Sequence, residues 1–279
     1  MPSAVQKIAK DALRSGYAFI DTVGEDTEQT HLHVQQELVV ADIEDQIVTI
    51  AAILAREMQV VDYKIIVFFT TARLTGFMAR LFNEMGVKTL EIHSRKSQSQ
   101  RSRTADQFRD GCNLILFSSD VSARGMDYPD VTCVLQVGLT DREQYIHRLG
   151  RTARAGKEGH GTLLLAPFET SSMTKTLSDI PLRTVSLETL RLDGFRSAVD
   201  RGLQKVMRDP EFKSLAQSTY AAWLGFYNSN LKNCGWDKPE LVRQANLYSK
   251  CLGLLEVPFL EKKTVGKMSL RGVPGLMIK

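Results

Sequence analysis

The sequence Ile65-Ile66-Val67-Phe68-Phe69-Thr70-Thr71 decides the fold, because five consecutive apolar residues end in two hydroxyl-bearing residues. A run of this length suits a strand that is buried on both faces, as the strands of parallel sheets are. Similar apolar runs recur at residues 113–118, 131–137 and 162–166, and shorter strand patterns at residues 18–23, 33–40 and 89–92. These segments predict the strands of one sheet.

Segments with helical periodicity separate the predicted strands. Apolar residues recur at three- and four-residue intervals through residues 43–58 and 74–85, and the second stretch ends at Gly86. Further helices are predicted at residues 99–108 and 141–148. Parallel strands need crossover connections, which helices supply on the two faces of a sheet. We therefore predict an α/β fold with a mostly parallel sheet and helices on both faces.

The sequence changes character after residue 186. Helical spacing predicts helices over residues 187–206 and 218–231, and a third that follows Asp237-Lys238-Pro239 and ends at Gly253. Residues 257–279 combine prolines and glycines with basic residues and resemble an irregular tail. We predict an α/β domain over residues 1–186, a small all-α extension over residues 187–256 and a basic irregular tail over residues 257–279.

Charge is divided unevenly along the chain. The 279 residues carry a formal net charge of +4, but residues 1–186 carry −2 and residues 187–279 carry +6. A basic segment of this kind suits a polyanionic partner, and a solvated helical face rich in lysine explains it equally well.

The composition argues against several classes of protein. No apolar run approaches the roughly 18 residues of a membrane span, so no membrane partner is predicted. The four cysteines are Cys112, Cys133, Cys234 and Cys251. Their scattered positions disfavour a disulfide scaffold or a zinc finger and favour a reducing intracellular compartment. His31 and His33 alternate along a predicted strand, and without further ligands we predict no metal site.

The densest functional signal is the segment His147-Arg148-Leu149-Gly150-Arg151-Thr152-Ala153-Arg154-Ala155-Gly156. Its three arginines recur at three-residue intervals and would lie on one side of a short helix. Guanidinium groups are planar, permanently charged forks that fit phosphate oxygens. The segment predicts a phosphate-binding site, unless the arginines pair with Asp120, Asp127 or Asp141 instead.

A second polar segment, Ser118-Ser119-Asp120-Val121-Ser122-Ala123-Arg124-Gly125-Met126-Asp127, follows directly from an apolar strand. Ligands of open parallel sheets gather outside the carboxyl ends of the strands, where Thr70 and Thr71 also fall. Hydroxyls, carboxylates and a glycine at that edge can hydrogen-bond sugars and phosphates.

In this order and spacing, the segments resemble the C-terminal RecA-like lobe of DEAD-box RNA helicases over about residues 1–186. Residues 65–71 resemble motif IV, His93 with Gln98-Ser99-Gln100-Arg101 resembles the H…QxxR segment, residues 119–127 resemble motif V and residues 147–156 resemble motif VI. The leading His147 separates this group from related helicases that have glutamine there. Residues 222–229 and 266–268 are similar to the C-terminal extension of mitochondrial intron-chaperone-type helicases and their plant relatives.

Three residues depart from the family's pattern without removing a charged group. Ser119 stands where threonine is usual, and Ser94 and Ala153 stand where glycine is usual. The resemblance therefore does not imply an inactive site.

The resemblance implies a mechanism in which two such lobes close on ATP and single-stranded RNA and separate a duplex locally. The implied arginine fingers, which stabilise charge on the transferring phosphoryl group, are Arg151 and Arg154. Asp127 would hold the ribose beside Gly125. The implied RNA contacts are Thr70, Arg101, Ser119 and Arg124, and the residues that would couple the RNA and ATP sites are Asp120, His147 and Arg148.

Two expected motifs are absent from the 279 residues: the phosphate loop GxxxxGK[ST] and the tetrad Asp-Glu-x-Asp. The Mg²⁺ that accompanies ATP would therefore be held by an N-terminal lobe, and Met1 falls about where the family's chain leaves that lobe. We expect the C-terminal half of an ATP-dependent RNA helicase that is inactive alone. The alternatives are an ATP-independent RNA-binding or regulatory module and a protein-interaction domain whose arginines form structural ion pairs.

Overall fold

The computed structural model describes residues 12–14, 34–119, 128–153 and 158–279. Residue contacts divide the chain into two compact units, residues 1–30 and residues 31–279. The strand predicted at residues 18–23 and the pair His31 and His33 lie outside the described residues. The divisions predicted at residues 186 and 256 stay predictions.

A seven-stranded sheet forms the centre of the second unit. Its strands are β1 Gln35–Val40, β2 Lys64–Phe68, β3 Thr89–Ile92, β4 Leu114–Ser118, β5 Cys133–Val137, β6 His160–Leu165 and β7 Arg183–Val185. The order across the sheet is β3-β4-β2-β5-β6-β1-β7, and every neighbouring pair is parallel. The predicted parallel sheet is therefore confirmed.

Helices connect and follow the strands. They are α1 Gln46–Glu57, α2 Ala72–Glu84, α3 Gln98–Asp110, α4 Arg142–Leu149, α5 Pro167–Thr176, α6 Asp193–Arg208, α7 Pro210–Asn228, α8 Leu231–Cys234, α9 Lys238–Cys251 and α10 Lys262–Lys267. None of the helices in the described ranges is long and apolar enough to cross a bilayer.

The central strand β2 shows why the sheet is covered on both faces. Ile65 and Val67 belong to a large core cluster that includes α1 and α2, whereas Ile66 and Phe68 pack in a second cluster with Phe108 of α3. These four residues of the five in β2 are fully buried. Successive side chains of a strand point to opposite faces, so a continuous apolar run requires a helix on each side.

The predicted helices beyond residue 186 differ from the observed ones in their bounds. Residues 187–206 do not form one helix, because Arg191 has a left-handed φ of 48° between a 3₁₀ turn, Leu187–Leu190, and α6. The helix expected to begin at residue 218 begins at Pro210, where the Asp209 carboxylate accepts hydrogen bonds from two first-turn amides. Asp followed by Pro is a helix-start signal that the apolar spacing alone does not show.

The tail over residues 257–279 is more ordered than predicted. It contains α10 and two short parallel strands, β8 Phe259–Leu260 and β9 Met277–Ile278. Leu260, Val265 and Leu270 are buried. These apolar anchors fix the tail, despite its glycines and basic residues.

Candidate nucleic-acid interface

Polar residues meet where the central strands end. The register pairs Phe68 with Ser118 and Ser118 with Ile92, so the residues that follow these strands lie at one edge. The backbone amide of Ser119 donates to the Ile92 carbonyl at 3.2 Å, which ties two of the three strand ends together. We call this row the carboxyl edge, and it comprises Phe69–Arg73, His93–Arg101 and Ser118–Ser119.

The hydroxyl residues of the carboxyl edge have separate roles. Thr71 caps α2, since its side chain accepts from the Leu74 amide at 3.2 Å. Thr70 is half-buried and its hydroxyl has no role in that cap. Ser119 is buried, at 7% exposure. Thr70 is therefore a partly exposed hydroxyl at the end of β2 that is not used in the cap of α2, so it is open to a ligand.

Arg101 lies in the first turn of α3, immediately behind its capping box. Ser97 and Gln100 form that box, with each side chain accepting from the other residue's backbone amide. The Arg101 Nε is buried and has no hydrogen-bond acceptor among the described residues. A buried donor without an acceptor costs about 1–3 kcal/mol, so an anionic ligand at this position would offset a real penalty.

His93 organises the loop before α3. Its Nδ1 accepts from the Arg95 amide at 3.2 Å, so the proton is on Nε2, which lies 3.2 Å from a Glu91 oxygen. Burial alone would raise the pKa of Glu91, but His93 and Lys96 hold it below its ordinary value. His93 thus positions the loop and does not face a ligand directly.

Sequence reasoning missed two arginines at this edge, Arg73 and Arg95. Burial and the neighbouring Arg95 cation together lower the pKa of Arg73. Two cations that repel one another at the carboxyl edge create a positive potential suited to an anion. The signal was available in the sequence, because Arg73 follows the Thr70-Thr71 pair and Arg95 follows His93-Ser94.

The arginine segment does not form one helical face. Helix α4 ends at Leu149, so it contains His147 and Arg148, while Arg151 lies in the following turn. Arg148 is 2% exposed, and its guanidinium carbon lies 5.2 Å from the centroid of the Phe68 ring. Arg151 is half-buried and donates from Nε to the His147 carbonyl at 3.3 Å.

Arg151 also lies close to Tyr128. Burial raises the pKa of Tyr128 to about 12, and the nearby Arg151 cation opposes that rise. Tyr128 and Arg151 are therefore near one another in the folded chain. The predicted residues Asp120, Arg124, Gly125, Asp127 and Arg154 lie outside the described residues.

Ala153 shows why glycine is usual at its position. Its φ of 53° is in the left-handed region, which costs a residue with a Cβ roughly 1–2 kcal/mol. The backbone conformation is kept here in spite of the substitution.

One group of potential metal ligands lies at the opposite, amino edge of the sheet. Donor atoms of Glu57, Cys133 and His160 all lie within 4.8 Å of one another. However, Glu57 already accepts from Arg56 Nε at 2.9 Å and lies 3.0 Å from His160 Nδ1. Burial, together with the Glu57 carboxylate, raises the pKa of the Cys133 thiol. These contacts describe a buried ion-pair network, and we assign no metal to it.

Known proteins with a similar sequence or fold are helicases. Residues 46–156 match the family described as helicase conserved C-terminal domain. In the solved structure of Mss116p bound to ssRNA and AMP-PNP, the matching region covers 100% of this chain and 56% of that chain, with 23% identity and a TM-score of 0.76. Mss116p helicase domain 2 bound to an RNA duplex covers 88% of this chain with a TM-score of 0.67. The fold is RecA-like, and residues 46–156 match a helicase C-terminal domain.

Sequence relatives of the chain are named DEAD-box RNA helicases. The chain is 44% identical over its full length to DEAD-box ATP-dependent RNA helicase 31 of Oryza sativa subsp. japonica, of which it covers 50%. It is 46% identical to DEAD-box ATP-dependent RNA helicase 31 of Arabidopsis thaliana, of which it covers 38%. The chain is thus a homologue of DEAD-box RNA helicases, and it spans half or less of the length of these two relatives.

Proposed function

We propose that this chain supplies the C-terminal half of an ATP-dependent RNA helicase. In this proposal the carboxyl edge binds the backbone of single-stranded RNA through Thr70, Arg101 and Ser119, and Arg124 adds a further contact. Arg151 and Arg154 complete an ATP site as arginine fingers, and Asp127 with Gly125 contacts the nucleoside. Asp120, His147 and Arg148 couple the two sites.

The observation that carries the RNA part is the buried, unpartnered Arg101 Nε at an edge that also collects Arg73 and Arg95. Phosphate oxygens are the acceptors that such guanidinium groups fit. The contacts are to the backbone, so the grip would be independent of base sequence.

The ATP part rests on where Arg151 lies. The turn that carries Arg151 follows the buried Arg148, and the Arg151 cation lies near Tyr128. Arginine fingers stabilise the charge of a transferring phosphoryl group and can be worth about 10³–10⁵ in rate. The phosphate-cradling loop and the Mg²⁺ ligands would come from an N-terminal lobe, so the 279 residues alone would hydrolyse ATP negligibly.

RNA binding by the 279-residue chain tests the first part. Fluorescence anisotropy with a labelled single-stranded RNA should show that Arg101→Ala weakens binding about tenfold, in keeping with a charge-assisted hydrogen bond. Arg103→Ala is the matched control, because Arg103 lies in the same helix but is exposed.

Salt dependence supplies a second readout from the same titrations. The slope of log K against log salt should become less steep by about 0.7 in Arg101→Ala. Equal affinities and slopes for Arg101→Ala and Arg103→Ala would show that Arg101 does not contact RNA.

A further inference from the structure

Glu169 is a fully buried carboxyl group at the junction between the sheet and the helices beyond residue 186. Residue 169 is 0% exposed and lies in the first turn of α5. Its Oε2 accepts from the Ala166 amide at 2.8 Å, and its Oε1 accepts from the Leu139 amide at 3.0 Å. The third donor is the Tyr227 hydroxyl of α7, at 2.6 Å from Oε1.

Gly138 lies between Glu169 and Thr70, which belongs to the carboxyl edge. Gly138 follows β5 with a φ of 84°, and a Cβ placed on it would lie 2.8 Å from the Thr70 methyl carbon. That Cβ would also lie 3.3 Å from Glu169 Oε1 and 3.6 Å from the Tyr227 hydroxyl. Thr70, Glu169 and Tyr227 therefore converge on one glycine and leave no room there for a Cβ.

A second contact joins α7 to the neighbouring part of the edge. The Thr219 hydroxyl lies 3.2 Å from the carbonyl of Arg73, two residues after Thr71. Helix α7 thus touches the residues that follow β2 directly, and through Glu169 it touches the residues that follow β5.

We propose that Tyr227 and Glu169 are positioning residues, through which the C-terminal helices set the location of Thr70 for RNA binding. The inference rests on the proposed RNA contact of the carboxyl edge. Close packing transmits a displacement between neighbours that have no free volume, so release of the Tyr227 hydroxyl lets the 138–139 turn and Thr70 relax. Neither residue would touch RNA itself.

The test compares two buried tyrosines of α7 in the full chain. Tyr227→Phe removes the bond to Glu169 and keeps the ring contacts with Trp223 and Phe168. Tyr220→Phe is the matched control, because its hydroxyl donates to Asn246 within the C-terminal helices, at 2.9 Å. Glu169→Gln is a second variant that keeps the side-chain length and removes the charge.

We expect Tyr227→Phe and Glu169→Gln to weaken single-stranded RNA binding threefold or more, at a temperature where all variants are folded. Tyr220→Phe should bind within twofold of the wild type, even where its melting temperature falls equally. The amide resonances of Thr70 and Gly138 should shift in Tyr227→Phe and stay in place in Tyr220→Phe. A merely structural hydrogen bond would not separate the two tyrosines in these readouts.

The outcomes distinguish this inference from the proposed function. If Arg101→Ala weakens binding but Tyr227→Phe binds like Tyr220→Phe, the positioning role is wrong and RNA binding at the carboxyl edge is supported. If Arg101→Ala binds like the wild type, both RNA binding at the carboxyl edge and the positioning role are wrong.

Discussion

At the scale of single residues, Glu169 has an unusual balance of forces. Burial raises its pKa from 4.5 to about 7, although the Tyr227 hydroxyl and two backbone amides favour the ionised form. Hydrogen bonds from three donors do not replace the lost hydration of a fully buried carboxylate. A proton therefore binds to the folded protein near neutral pH at a site where the unfolded chain has released it.

The pH dependence of stability should report this proton. A carboxyl group whose pKa is higher in the folded state stabilises that state below about pH 4.5, and this contribution is lost as the pH rises through about 7. The shift corresponds to about 3 kcal/mol between the two limits. Urea unfolding should show that the free energy of unfolding of the wild type falls between pH 5.5 and pH 8. The fall should be smaller in Glu169→Gln.

Other acids do not produce the same trend. The pKa values of Glu37 and Glu57 are lowered, in spite of burial, by Arg56 and His160, so their contributions are lost as the pH falls below about 4.5. An equal change between pH 5.5 and pH 8 in the wild type and Glu169→Gln would contradict a raised pKa of Glu169.

At the scale of elements, the turn between β5 and α4 depends on Gly138. Its left-handed φ would strain an alanine by about 1–2 kcal/mol, and crowding by Thr70 and Glu169 would add about 1–3 kcal/mol. Gly138→Ala should therefore lower the free energy of unfolding by about 2–5 kcal/mol in urea titrations.

Gly86 provides the comparison that separates strain from crowding. Its φ of 86° is almost the same, but a Cβ there would meet no atom within 4 Å. Gly86→Ala should cost about 1–2 kcal/mol from strain alone. Similar losses in the two variants would mean that the space around Gly138 can widen without cost.

A helix or strand can be predicted from the sequence when its own residues carry a hydrophobic pattern. Continuous apolar runs such as Ile65–Phe69 mark buried strands, because no other strand environment needs them. The three-residue strand β7, Arg183–Val185, carries no such run and has two exposed residues, so its pairing with β1 decides its structure. Likewise, the helical pattern is interrupted at Arg191 by a left-handed backbone conformation, which the spacing of apolar residues does not predict.

Prediction of the candidate site has a similar limit. Residue types and spacing lead to Thr70, which follows a strand end, and to Arg151 in the arginine-rich segment, whereas Arg101 is implied by the family resemblance. Glu169 and Tyr227 are 58 residues apart and meet only in the folded chain. Arg148 was predicted beside Arg151 on one helical face, but the end of α4 at Leu149 separates their environments.

At the scale of the whole molecule, the sheet and the C-terminal helices share one core. A single cluster of buried residues includes β2, α2 and α7, and the Phe77 and Phe212 rings lie 5.4 Å apart across the α2–α7 contact. A Cβ placed on Gly202 of α6 would lie 2.9 Å from Leu81 of α2 and 3.0 Å from Met85, which follows α2. A shared core of this extent makes independent unfolding of either part unfavourable.

Residues 31–279 should therefore unfold in one transition. The two tryptophans, Trp223 and Trp236, both lie beyond residue 186, so their fluorescence reports the C-terminal helices. Far-ultraviolet circular dichroism reports the sheet and all helices together. The urea midpoints of the two signals should coincide, and loss of the fluorescence signal at a lower urea concentration would mean that the C-terminal helices melt first.

The edge strands of the sheet also affect whether two molecules can associate by strand pairing. In the described sheet, the outermost strands β3 and β7 have four and three residues, fewer than the strands between them. Both carry charge, Glu91 on β3 and Arg183 on β7, and Arg183 pairs with Glu37. Short, charged edges offer a poor template for an incoming strand, so the apolar centre of the sheet is kept from edge-to-edge growth into larger assemblies.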